Sequence, residues 1–413
     1  MVRPGSATMT VLAVFIVLLF LYSLISAQVE KSTLTAPIAF TVAGVVITLV
    51  MAELPSGAVR TDAFLPMAEL GLVLLLFTDA SRIDLKLLGS MGSLPARLLS
   101  VGMVLTIALG MAVALMVFGD LSIWEAGILA AILAPTDAGL GQAIVSSPNV
   151  PKRIREALNV EAGLNDGLAV PFLLFFIAQA ASHEGTEEAG LLHFFIEQFG
   201  YGVGVGLAIG LAGGWLFARA KARGWVSKSY RQIGFVALPV LCVLGSEAVG
   251  ASMFIAAFVA GLAVQLGGGK DVAEHSLELT EDWGQVINLS VFFLFGLLTA
   301  GQWHDLRPVH FAYAALSLTV IRMLPVAIAL IGTGMSRATV LFIGWFGPRG
   351  LASIVLGLVY LKHATGHDEP TVHLAVIATV LMSILAHGLS AKPGAAWYSS
   401  QVAPDAGKNA KVY

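Results

Sequence analysis

The sequence predicts an all-α polytopic membrane protein. Of its 413 residues 57% are hydrophobic and only 12% are charged, and the apolar residues come in runs of roughly 20, the length of a membrane-crossing helix. A soluble chain of this size carries about a quarter charged residues to stay in water. The mean hydropathy of +0.86 points the same way. The net charge of −3 says little about partners, and no feature of the composition points to nucleic acid. Cys242, the single cysteine, excludes an internal disulfide and a thiol metal site, and reads as a small apolar core residue.

Apolar runs bounded by charges or turn clusters place about thirteen spans, near 10–28, 33–51, 64–80, 93–118, 122–147, 153–181, 192–219, 232–248, 250–267, 284–301, 309–332, 336–361 and 371–391. The first run is long and preceded only by Arg3, so it reads as a span and not as a cleaved secretory signal. The split between the eighth and ninth spans falls at Val249-Gly250. Residues 1–391 then form the transmembrane unit, and 392–413, polar and rich in Gly, Ala and Pro, read as a short, disordered cytoplasmic tail with no platform for a regulatory protein.

Lys and Arg are retained in cytoplasmic loops. Placing the loops after odd-numbered spans inside collects Lys31; Arg82, Lys86 and Arg97; Lys152, Arg153 and Arg155; Arg219, Lys221, Arg223, Lys228 and Arg231; Lys270; Arg337; and Lys392, Lys408 and Lys411 there. Only Arg3, Arg60, Arg307 and Lys362 remain outside, so the N-terminus is expected outside and the C-terminus in the cytoplasm of a cell's inner (plasma) membrane. Arg322 and Arg349 fit neither side, because they lie within apolar spans.

The fifth and twelfth spans are each broken by a proline, Pro135 and Pro348. A shift of seven spans reverses the direction of crossing, as an inverted repeat requires. Residues about 10–181 and about 232–391 form the two six-helix repeats, and about 192–219 the connector, so that the two broken helices cross at mid-membrane. Interrupted helices at matching positions point to a transporter's ion site, since unwound backbone in a membrane is tolerated only where it lines a cavity or is buried in protein.

Ionised acids inside a span cost about 2.5–3.5 kcal/mol on insertion scales, which directs attention to Asp137 and Asp166. Pro135 frees carbonyls of the preceding turn, with Thr136 and Asp137 opening the second half-helix. These are hard oxygen ligands for an alkali cation, and no Cys/His cluster suggests a transition metal. In the sixth span Glu161 and Asn165 share a helix face, with Asp166 just beside it. Two ionised acids in one cavity are costly, so one is expected to be compensated and the other to titrate. Arg322 is a candidate partner for Glu161, which leaves Asp166 free to hold a proton or a cation in turn. Arg349 either neutralises the C-terminal end of a half-helix or pairs with a buried acid.

The strings A-P-T-D-A at 134–138, E-A-G-L-N-D-G at 161–167 and F-G-P-R-G-L at 346–351 resemble those of monovalent cation:proton antiporters. They are most similar to the prokaryotic sodium/proton antiporters related to animal sodium/proton exchangers. Glu69 to Phe77 likewise resembles the family's third helix. The resemblance implies a homodimer whose core domain moves like an elevator against a dimerisation domain; no cofactor is expected, only the transported Na+ or other monovalent cation and H+. It implies that Asp166 is the ion and proton carrier and that Asp137, the Thr136 backbone and Glu161 help form the Na+ site. It also implies that Glu161 pairs with Arg322, and Arg349 with an acid such as Glu69. Asn165, where the electrogenic branch has a second aspartate, implies one-for-one, electroneutral exchange. Ala162 departs from the serine of many relatives and leaves the choice between Na+ and K+ open.

The remaining features have plainer readings. Gly200, Gly202, Gly204, Gly206, Gly210, Gly213 and Gly214 allow close helix contact, with no strand or G-x-G-x-x-G to indicate a dinucleotide. His363, His367 and His373 read as solvated loop histidines, and Glu184, Glu187 and Glu188 as a wet loop. A passive channel could share the buried carboxylates. An intramembrane hydrolase using Asp137 and Asp166 lacks G-x-G-D, H-E-x-x-H and G-x-S-G, so an enzyme is not expected.

Overall fold

In lipid the backbone must satisfy its own hydrogen bonds, so long apolar runs close into helices. A computed structural model describes residues 4–29, 32–50, 61–83, 94–145, 147–183, 196–268, 276–363 and 370–409, and every regular element among them is a helix. In order they are α1 (Pro4–Val29), α2 (Ala36–Val50), α3 (Thr61–Arg82), α4 (Leu94–Val117), α5 (Ile123–Ile132), α6 (Ala138–Val145) and α7 (Lys152–His183). Next come a π-helical turn (Ile196–Tyr201), α8 (Gly202–Ala222), α9 (Lys228–Val249), α10 (Met253–Gly268), α11 (Glu278–Gly301), α12 (Pro308–Leu318) and α13 (Val320–Ala329). The last are α14 (Arg337–Trp345), α15 (Leu351–His363) and α16 (Pro370–Asn409). Among the described residues nine helices are long and apolar enough to cross a membrane, and four shorter apolar ones accompany them. Arg3, Lys31, Arg60, Lys86, Glu184, Glu187, Glu188, Lys270, His367 and Lys411, named above, lie outside the described residues.

Local chemistry sets the breaks. Ser122 and Glu125 form a reciprocal capping box that starts α5, and Ser336 caps α14 by accepting from the Thr339 amide. Gly250, with φ of 68°, ends α9 in the left-handed conformation that glycine adopts at no steric cost. The eleventh span, expected as one helix, is interrupted at Thr319, whose hydroxyl turns back onto the Ala315 carbonyl.

Two further expectations are corrected. The disordered tail expected from residue 392 is instead the helical end of α16, which runs to Asn409. Ala391, Ala395 and Tyr398 form a buried stripe one helical turn apart, which the polar composition around them conceals. Tyr398 stacks on Phe342, with ring centroids 4.2 Å apart, and its hydroxyl lies 3.0 Å from Thr339 Oγ1. His373, expected in a solvated loop, is half-buried in the first turn of α16.

Packing divides α2–α16 into two sets. One set contains α2, α3 and α8–α11; the other contains α4–α7 and α12–α16. In the first, Gly206, Gly210 and Gly214 bring α8 against the backbone of α10. A Cβ at Gly210 would lie 2.5 Å from the Ala260 carbonyl oxygen, so only glycine permits this approach. The sets meet sparsely, chiefly where α3 touches α7 and α15, where α10 touches α7, and where α11 touches α15.

Candidate functional site

Proline supplies no N–H and so opens the chain at two places, and the structure brings those places together. The first break, residues 133–137, separates α5 from α6; the second, 346–350, separates α14 from α15. The Asp137 amide donates to the Pro348 carbonyl at 2.8 Å, joining one break to the other. The Asp137 carboxylate then serves two helix starts. Its Oδ1 accepts from Leu140 N–H in α6 at 3.1 Å, and its Oδ2 accepts from Leu351 N–H of α15 at 2.7 Å. A negative charge is favoured at both, because each helix start presents unsatisfied N–H groups and the positive end of its dipole. Gly350 is needed beside it, since a Cβ there would overlap the Asp137 carboxylate.

Arg349 performs the opposite service. Fully buried, it donates from Nη1 to the carbonyls of Ala134 and Pro135, at 2.7 and 2.8 Å, where α5 ends and its dipole is negative. Ser353 adds a hydroxyl to the Ile132 carbonyl at 2.8 Å. The Arg349–Glu69 pairing implied by the family resemblance is therefore corrected. Glu69 instead lies 3.9 Å from Lys362 Nζ, and the guanidinium is turned to orphan carbonyls, the dipole alternative read from the sequence.

On α7, Glu161 Oε1 lies 2.6 Å from Arg322 Nη1, with both side chains almost wholly buried. The guanidinium occupies the space beside Gly347, so the pair also abuts the second break. One turn on, Asn165 donates its amide to the Thr136 hydroxyl at 2.6 Å, tying α7 to the first break. Asp166 is 4% exposed, its Oδ1 is buried, and that oxygen has no hydrogen-bond partner among the described residues. Its charged neighbours are Asp137, Asp79 and Arg349.

Asp79 was not singled out from the sequence. It faces Gly163 of α7, whose missing side chain makes room for it: a Cβ there would stand 3.2 Å from that of Asp79. The cost argument applied to Asp137 would have found it, but its closeness to Arg82 made it look like the polar end of a span. Asn288 of α11 also approaches, with its amide near Gly139 and a buried Oδ1 that lacks a partner among the described residues. Four carboxyl groups, Asp79, Asp137, Glu161 and Asp166, thus share this region with two buried guanidiniums. A small cleft reaches the site, lined by Thr136, Asp137, Gly141, Ile144, Leu158, Ala162, Phe346 and Pro348. Such a set of oxygens can attract and partly dehydrate a small cation. Among the described residues no group of three His, Cys, Asp or Glu has the geometry of a resident metal centre.

A family model described as "Sodium/hydrogen exchanger, transmembrane" matches residues 11–397. The chain belongs to this family. Among curated proteins it is similar to the K(+)/H(+) antiporter NhaP2 of Shewanella sp. (strain ANA-3), 27% identical over 274 residues, covering 65% of this chain and 46% of that protein. It is also similar to the K(+)/H(+) antiporter NhaP of Alkalimonas amylolytica, 26% identical over 313 residues, covering 72% of this chain and 53% of that one. The matches thus span about half the length of these relatives. Among solved structures, the sodium proton antiporter MjNhaP1 from Methanocaldococcus jannaschii matches with a TM-score of 0.78. The two are 19% identical and the match covers 95% of this chain and 98% of that one, so the likeness establishes the fold.

Proposed function

We propose that this member of the exchanger family is a secondary active antiporter, not an enzyme, exchanging a monovalent cation, Na+ (or Li+), for H+. Exchange is one for one and electroneutral. Asp166 binds the cation or the proton in turn, and Asp137, the Thr136 backbone, Glu161, Asn165 and Asp79 shape the site around it. One observation supports this reading above the rest: both Asp137 oxygens accept backbone bonds and Glu161 is ion-paired to Arg322, whereas among the described residues Asp166 has no ion pair and a buried oxygen without a partner. A buried carboxylate in that state gains from either a proton or a cation, and the two compete for it. No cofactor is invoked. Arg322 compensates the Glu161 charge and Arg349 the carbonyl end of the first break, and neither contacts the ion.

The two sparsely joined helix sets support movement of the α4–α7 and α12–α16 set, which holds Asp137 and Asp166, against the other. The protein works as a homodimer in a cell's inner membrane with its N-terminus outside, an orientation supported by the basic residues at 152–155, 219–231 and 337. A second reading, K+ in place of Na+, is favoured by the names of the curated relatives and by Ala162, which lines the cleft without a hydroxyl.

The test is cation-driven proton movement in sealed proteoliposomes, followed by a pH-sensitive dye with voltage clamped and Na+, Li+ and K+ supplied in turn. Dequenching with the wild type and its loss in Asp166→Asn is the expected result. Full activity in Asp166→Asn would place the carrier elsewhere, and ion flux without proton movement would indicate a channel.

A further inference from the structure

In an unbroken helix the Arg349 N–H would donate to the Trp345 carbonyl, four residues back. The break at 346–350 removes that bond: the half-buried Trp345 carbonyl accepts instead from the Gly347 N–H at 2.9 Å, while the Arg349 N–H is buried deep in the bundle, where an orphan donor costs about 1–3 kcal/mol. The structure replaces it from α16. Arg349 N–H donates to Ser383 Oγ at 2.6 Å, and His387 Nε2 lies 2.9 Å from the Trp345 carbonyl oxygen. Ser383 and His387 are one helical turn apart, and Ser383 Oγ lies 3.1 Å from His387 Nδ1, which closes the chain.

The proton positions follow from the chemistry of the partners. The Trp345 carbonyl only accepts, so His387 carries its hydrogen on Nε2 and leaves Nδ1 a lone pair. Ser383 Oγ already accepts from Arg349, so its own hydrogen is free to point at Nδ1. The Ser383 carbonyl is also 3.1 Å from Nδ1, and a bare lone pair gains nothing there. The neutral imidazole therefore completes an unbroken relay: Arg349 N–H to Ser383 O–H to His387 Nδ1, and His387 Nε2–H to Trp345 C=O. Ser383 is fully buried and His387 is 1% exposed.

The opposite face of the same five-residue segment holds the cation site. Pro348 C=O accepts from the Asp137 amide, Leu351 N–H donates to its carboxylate, and Phe346 and Pro348 line the cleft. We propose that His387 and Ser383 are positioning residues of the cation site: they splint the break of the second interrupted helix, and thereby set where Asp137 and the cleft wall stand. The inference rests on the antiport reading above and assigns these two residues an effect on ion affinity without ion contact.

The experiment measures the half-saturating Na+ concentration and the maximal rate of dye dequenching for wild type, Ser383→Ala, His387→Phe, His387→Gln and the Ser383→Ala/His387→Phe double variant, repeated with K+. Losing one link of the splint is expected to raise the half-saturating concentration about tenfold, the equivalent of one buried hydrogen bond, with the maximal rate held within about threefold. His387→Gln, whose amide nitrogen can reach the Trp345 carbonyl, is expected to recover most of the loss. The double variant is expected to be no worse than the poorer single one, since both cut one chain. Wild-type half-saturation in both single variants overturns the proposal, as does a fall in maximal rate alone. If His387→Phe yields no folded protein, Ser383→Ala, which removes one oxygen, decides alone by the same criterion. A wild type that moves no protons in any cation gradient defeats the antiport reading itself, whereas active wild type with unaltered variants defeats only the splint.

Discussion

Asp137 and Asp166 stand in the same region and bear the same carboxyl group, yet the structure assigns them opposite effects on stability. Asp137→Asn replaces a carboxylate that accepts from two buried amides, at 3.1 and 2.7 Å, by a group with one acceptor oxygen and an NH2. Whichever amide meets the NH2 becomes an orphan donor, at about 1–3 kcal/mol, and the surviving bond loses its charge assistance, for about another 1 kcal/mol. The expected destabilisation is therefore about 2–4 kcal/mol, centred on the start of α6 or α15. Asp166→Asn removes a buried charge whose Oδ1 has no hydrogen-bond partner among the described residues, so it relieves desolvation and breaks no cap. Thermal denaturation of detergent-purified protein, read by size-exclusion recovery, gives both midpoints side by side with transport. Asp137→Asn should melt well below wild type. Asp166→Asn should melt at or above it while transporting nothing. If Asp137→Asn melts with wild type, or Asp166→Asn is the less stable of the two, the division into cap and carrier is wrong.

Other outcomes follow from the same geometry. Glu161→Gln and Arg322→Ala each strand a buried charge and should cost about 3–5 kcal/mol, seen as lower yield and melting midpoint; stable but inactive variants would give the pair a direct transport role. Gly210→Leu must push α8 off the Ala260 carbonyl and should destabilise by about 1–3 kcal/mol, checked by the same melting assay. If cation and proton share Asp166, the half-saturating Na+ concentration should rise towards about tenfold per pH unit as the medium is acidified through the range where Asp166 takes up its proton, with the saturated rate conserved. Half-saturation that does not move with pH in any range would exclude the competition.

Much of this could be read from the residues because membrane burial makes few demands and makes them strictly. Apolar length gave the helices, and Pro135 and Pro348 gave the breaks, since a missing N–H is visible in one letter. The joining of those breaks was less accessible: Asp137 bonds Leu351 across 214 positions of sequence, and no spacing rule encodes that. Arg349 shows how a dipole, which has no residue of its own, can outcompete an acid such as Glu69 for a guanidinium. Asp79 escaped notice because a nearby arginine mimics a span boundary, and only the contact with Gly163 reveals which way it faces. Ser383 and His387 carry no motif. Their i, i+4 spacing becomes meaningful only once the bond they replace is known to be missing.

The far end of α16 has a practical bearing on handling the protein. Because Tyr398 stacks on Phe342 and meets Thr339, the closing stretch of this helix is bolted to α14, the same helix whose last carbonyl His387 holds. A truncation before Tyr398, or a reporter fused ahead of it, would unscrew one wall of the ion pathway from more than 50 residues away in sequence, as the 59-residue separation of Thr339 and Tyr398 implies. Labels joined beyond Val402 spare that anchorage.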